Sequence, residues 1–206
     1  MHRNETDKAR SGDAIAARGN SQKGFTLVEL LVVIAVVAVL ATATIVLLNP
    51  SEILRQTRDS NRISDLTTLK TAIVTYIAET GSSAYIGDAN TCYAHPSSTL
   101  ADCAGRFSGS AVATFASSRK VDGTGWIPIN FTAMSSRAPI PVLPIDPVNN
   151  ATFFYAYKAE PTQLLFKVNA KMESEKYSKG GSGDVESKDG GSDPNLFESG
   201  TDLNGL

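Results

Sequence analysis

The sequence predicts an α+β protein in which a long bent N-terminal helix packs on a small antiparallel sheet. Three features predict it. Residues 25–48 are an apolar run broken by a single acid, Glu29. Past that run, Ile63, Leu66, Leu69, Ile73 and Ile77 recur at spacings of three and four, which is helical periodicity. Two aromatic and β-branched stretches, residues 152–158 and 163–169, flank a short Pro-containing turn and read as a hairpin.

The chain has 206 residues, of which 42% are hydrophobic and 19% charged, with a net charge of −2. That composition fits one membrane segment followed by one modest domain. Residues 1–24 carry Arg3, Lys8, Arg10, Arg18 and Lys23 against Glu5, Asp7 and Asp13, a net +2 that leaves −4 for the rest. A basic leader before an apolar run places the N-terminus in the cytoplasm by the positive-inside rule. An acidic remainder argues against nucleic-acid binding, which is driven by phosphate neutralisation.

As a helix, residues 25–48 extend about 36 Å, enough to cross roughly 30 Å of hydrocarbon. The run is too long for a conventional signal peptide, and no small-x-small cleavage site follows it. Glu29 is the anomaly. A carboxylate in a bilayer helix is penalised by about 2.5–3.5 kcal/mol, and the nearest cation, Lys23, lies beyond Gly24. Either Glu29 snorkels near the helix end, or its partner comes from another molecule.

Gly24-Phe25-Thr26-Leu27-Val28-Glu29-Leu30, between the basic leader and the apolar helix, resembles the cleavage and methylation motif of type IV prepilins and type II secretion pseudopilins. The resemblance implies a pilin-like fold. It also implies a cut after Gly24 by a prepilin peptidase/methyltransferase, N-methylation of Phe25, and pairing of the new α-ammonium with Glu29 of a neighbouring subunit. The implied partners are membrane lipid before assembly, other copies in a homopolymer or mixed filament, and a pilus or secretion assembly machinery. The implied location is a single-pass membrane precursor with a cytoplasmic N-terminus, then an extracytoplasmic or cell-surface filament.

The expected segments are a leader (1–24), a transmembrane and filament-core helix (25–48), an amphipathic helix (49–81) and a globular head (82–206). Asn49, Pro50 and Glu52 suggest a helix restart with a capping box, and Gly81 a stop. Arg55, Arg58, Asp59, Arg62, Asp65 and Lys70 occupy the helix's other faces, as a solvated surface or a filament contact. Residues 81–123 read as a long loop. They contain Cys92 and Cys103, which in an exported domain form a structural disulfide rather than part of a zinc site with His95.

Residues 126–131 alternate but contain Pro128, so they are expected as an edge strand. The Pro-rich residues 139–147 are an extended connector, and the Leu143-Pro144-Ile145-Asp146-Pro147 element followed by an aromatic hairpin is similar to the same region of major pseudopilins. The Gly/Ser/Asp-rich tail is expected to be a loop with one strand returning near Phe197. It holds Asp184, Asp189, Asp193, Asn195 and Asp202, hard oxygen ligands suited to calcium, which major pseudopilins bind near this end; a plain solvated tail is the other reading.

His2 and His95 are the chain's two histidines, and no nucleophile elbow or phosphate loop occurs, so no enzyme is expected. Asn130 and Asn150 head acceptor triplets for glycosylation that are common by chance. The function expected is a structural subunit of a type IV pilus or pilus-like filament. The alternatives are a major pseudopilin of a type II secretion system and, from another class, a membrane-tethered binding protein or enzyme.

Overall fold

The computed structural model describes residues 24–95, 101–107 and 112–206. The basic leader, residues 1–23, lies outside the described residues. The architecture is α+β and pilin-like: an apolar N-terminal helix, a second long helix and a five-stranded sheet, forming two compact units that divide at Leu47/Leu48.

The first unit holds α1, Leu27–Leu48, whose Leu27–Ile45 window has mean hydropathy 2.7 and no buried residue. It is long and apolar enough to cross a membrane. Thr42 Oγ1 donates to the Ala38 carbonyl (2.9 Å) and Thr44 Oγ1 to that of Leu40 (2.8 Å), so both hydroxyls are satisfied within the helix.

The second helix, α2, runs Pro50–Thr80. Pro50 disfavours right-handed helical backbone at the preceding residue, and Asn49 adopts φ 41°, ψ 72° instead, a left-handed state that Asn tolerates. The expected capping box does not form there. A side-chain cap needs extended backbone at the cap residue; here Asn49 Oδ1 accepts from Ser51 Oγ, and Glu52 Oε1 accepts from Gln56. The helix ends where Gly81 takes φ 63° and donates to the Ile77 carbonyl.

The sheet order is β2-β1-β3-β4-β5, with β1 Thr91–Ala94, β2 Val112–Phe115, β3 Ala156–Glu160, β4 Leu165–Ala170 and β5 Phe197–Gly200. Four strands are antiparallel, and β2 is added to β1 in parallel. The region expected as a long loop therefore supplies two strands. Each has four residues, too few for a period of two to stand out from Ser/Ala/Thr-rich surroundings. Residues 126–131 correct the opposite error: Trp126, Ile127, Ile129 and Phe131 are all buried, and a single bridge, Asp122 to Asn130, is their ladder contact. A segment buried on both sides of its alternation is core filling without being a strand. The hairpin turn lies at residues 161–164, two later than expected.

One sheet face, including Tyr93, Tyr157, Phe166 and Val168, packs with Leu66, Leu69, Ile73 and Tyr76 of α2 in the main core. The other face carries a smaller cluster of Cys92, Ala94, Cys103, Phe107, Phe154 and Ala156. Gly200 lies where a Cβ would stand 2.1 Å from the Phe166 carbonyl oxygen, so close strand approach requires glycine.

The α2 stripe extends further toward its N-terminus than its apolar residues do. Asp59, Arg62, Leu66, Leu69, Ile73 and Tyr76 keep the three-four rhythm and are all buried, Asp59 and Arg62 completely. These two charges are neither a solvated face nor a filament contact. Arg62 donates to Asp59 (2.6 Å), to both oxygens of Asp146 (2.6 and 2.9 Å) and to Glu173 (2.6 Å), which also accepts from Arg58. Backbone N–H groups complete the set: Glu173 and Ser174 donate to Asp59, Val148 and Asn149 to Asp146. Asp146 is the acid of the Leu-Pro-x-Asp-Pro element, so that element is tied to α2 by a forked guanidinium.

Removing one member of such a network leaves buried charge unpaired. Arg62→Met is expected to destabilise the fold by about 3–5 kcal/mol in denaturant melts, whereas Arg55→Met, at an exposed position of the same helix, should change little. The acid side of the network also predicts a pH dependence. Burial pushes the Glu173 pKa up, but hydrogen bonds from Arg58 and Arg62 outweigh it and leave the group below its ordinary value. A carboxylate depressed by folding contributes stability that is complete above its unfolded pKa and lost as pH falls through the folded one. The melting temperature should therefore drop as pH falls below about 4, with a shallower dependence in Glu173→Gln.

Candidate processing and assembly site

The site is the start of α1. Thr26 and Glu29 close a reciprocal capping box: the Glu29 N–H donates to Thr26 Oγ1 (3.1 Å), the Thr26 N–H to Glu29 Oε2 (3.5 Å), and the Leu30 N–H to the Thr26 carbonyl (3.1 Å). Thr26 is thus the N-cap and Glu29 the third helical residue. The pattern Thr-x-x-Glu was visible in the sequence at 26–29, whereas the box had been expected at 49–52. An acid here also complements the positive end of the helix dipole.

The arrangement does two things chemically. It satisfies two of the N–H groups that a helix start leaves without an intrahelical partner. It also positions the carboxylate, with Oε2 committed to the backbone and Oε1 making no hydrogen bond among the described residues. The cap sits one residue beyond Phe25, whose side chain is 83% exposed. Gly24 precedes the helix, and a Cβ built on it would meet nothing within 4 Å. Among the described residues no packing demands glycine there.

The other predicted sites fall in the second unit. Cys92 of β1 and Cys103 of the short turn Ala101–Gly105 form a disulfide, buried against Phe107 and Phe154. His95 lies outside that bond: its Nδ1 is 2.9 Å from Asn149 Nδ2 and its Nε2 3.3 Å from the Ser117 carbonyl oxygen.

The five candidate calcium ligands are not drawn into one set. Asp184 accepts from Gly180 N and Ser187 N and Oγ, which hold its pKa down to about 2; Asp189 accepts from Gly191 N and Glu198 N, and burial moves it the other way. Asp193 accepts from Asn195, and Asp202 from Asn204 N and Gly205 N. Each closes its own turn. Among the described residues no three His, Cys, Asp or Glu side chains form a group able to hold a metal ion. What braces this region is a buried ion pair between Lys167 of β4 and Glu198 of β5, at 2.9 Å.

A family model described as the prokaryotic N-terminal methylation motif matches residues 19–45, the segment that includes Gly24, the Thr26–Glu29 box and most of α1. No curated protein and no solved structure matches the chain. The motif is that of a type IV pilin-like or pseudopilin protein, and with the apolar α1 it fits a membrane-anchored precursor.

The disulfide closes a short loop across 11 residues of sequence separation. Reduction, or Cys92→Ser with Cys103→Ser, is expected to lower stability by about 2–3 kcal/mol, read as a fall in melting temperature with reductant.

Proposed function

We propose that this chain is a structural subunit of a type IV pilus or pilus-like filament, cut after Gly24, N-methylated on Phe25 and polymerised through α1. The observation that carries the reading is the Thr26–Glu29 box at the start of an apolar helix unburied from Leu27 to Ile45, two residues after a glycine that no packing among the described residues requires. Before cleavage the box spares backbone groups from lipid while Glu29 has no cationic partner among the described residues. Cleavage creates an α-ammonium on Phe25, and methylation preserves its charge. Glu29 of an adjoining copy neutralises it, so two charges that are costly apart become tolerable together.

Extraction from the bilayer then exchanges lipid for the α1 surfaces of other copies. Because an intact buried pair contributes little net stability while a broken one is costly, the pair sets the axial register more than it glues the fibre. A second reading, the major pseudopilin of a type II secretion system, is favoured by the Leu143–Pro147 element.

Mass spectrometry of sheared surface material tests the proposal. The expected species begins at a methylated Phe25; a chain retaining the leader, in a membrane-bound monomer, would overturn it. Glu29→Val should insert and be cut yet yield few filaments, and a normal yield from that variant would remove the pairing from the mechanism. Export of an enzyme without surface fibres, lost on deletion of the gene, would select the secretion reading.

A further inference from the structure

We propose that a cleft beside the disulfide-closed loop binds a hydroxylated carboxylate about the size of one sugar acid, through Arg106 and Lys171. The cleft has a volume of about 280 Å³, and its walls include Arg106, Thr152, Phe154, Lys171, Asp193 and Asn195. It lies apart from α1 in the chain and serves no step of the proposed processing.

Arg106 is the observation that calls for a ligand. It is 8% exposed, and its guanidinium lies 3.5 Å above the centre of the Phe154 ring. Nη1 donates to the Phe154 carbonyl (2.5 Å) and more distantly to Asn169 Oδ1 (3.4 Å), and Nη2 to the Thr152 carbonyl (2.7 Å). Every one of these acceptors is neutral. The contrast within the same head is direct: Arg62 meets three carboxylates and Lys167 meets Glu198. Burying a cation among neutral dipoles is costly, and an ion pair would offset that cost. That burial lowers the Arg106 pKa to about 10, against the through-space attraction of Asp146 and Asp193, which raises it.

Among the described residues Nε of Arg106 makes no hydrogen bond, and Lys171, which lines the same cleft, adds a second, exposed cation. These two supply a carboxylate subsite. Asp193 and Asn195 line the cleft as well; Asn195 donates to Asp193 Oδ1 (2.9 and 3.0 Å), which leaves Oδ2 to accept from a ligand hydroxyl. An anion without hydroxyl groups offers Asp193 no donor, and a neutral sugar offers Arg106 no counter-charge. An acid bearing hydroxyl groups supplies both.

The test uses the full chain in detergent micelles and isothermal calorimetry with glucuronate, glucose, acetate and inorganic phosphate. Glucuronate should bind at least about tenfold more tightly than each of the other three, equivalent to about 1.4 kcal/mol. Lys171→Gln, at an exposed position, should weaken glucuronate about tenfold with an unchanged melting temperature. Arg106→Gln should abolish the preference for glucuronate over glucose; if that variant does not fold, Lys171→Gln decides alone. No saturable heat with glucuronate, equal affinity for glucose, acetate or phosphate, or an unaltered Lys171→Gln would each overturn the proposal.

Discussion

A single guanidinium organises the head. Arg62, fully buried on α2, reaches the Pro-rich connector through Asp146 and the segment after β4 through Glu173, while Asp59 beside it holds the backbone of Glu173 and Ser174. Three parts of the chain far apart in sequence are fixed at one point. A proline-rich connector has few N–H groups with which to join a sheet, so its position depends on side-chain anchors. Asp146 supplies one by accepting from Arg62 on one side and from the N–H groups of Val148 and Asn149 on the other. Trp126 adds another, its indole N–H donating to the Pro144 carbonyl at 3.0 Å. Glu79 at the far end of α2 repeats the device, receiving hydrogen bonds from Ser135 and Ser136.

The two faces of the sheet are held by different physics. Against α2 the contacts are apolar and aromatic, with Tyr76 edge-on to Phe131 at 5.7 Å and Tyr157 tilted against both Tyr93 and Phe166. On the other face Lys158 and Lys167 stand directly opposite on β3 and β4, an arrangement of like charges that is unfavourable by itself. Glu198 offsets it from β5, and the disulfide loop brings Phe107 over the same face. The covalent bond thus stands where apolar burial is least extensive.

The first unit follows a different logic. In α1 no residue from Leu27 to Ile45 is buried by the described chain, and the helix start is held by the Thr26–Glu29 cap. Apolar side chains this exposed are what a helix long enough to cross a membrane presents, and Glu29 is the one acidic residue among them.

The α1 run, the Gly24–Leu30 motif, the apolar part of α2, the β3–β4 hairpin and the cysteine pair were legible in the sequence, because each is a local pattern: continuous hydropathy, a short motif, a three-four rhythm, an alternation, a lone pair of thiols. Local pattern was silent, or misleading, where partners come from afar. Asp59 and Arg62 looked solvated because the carboxylates and backbone groups that make their burial tolerable lie more than 80 residues away. The strands β1 and β2 exist because the disulfide loop and β3 hold them, and residues 126–131 are core because α2 covers them. Sequence by itself determined that this chain carries an apolar, acid-bearing N-terminal helix and an α+β head; tertiary structure alone decided which charges are interior, since burial is a property of three-dimensional neighbours and not of the residue that is buried.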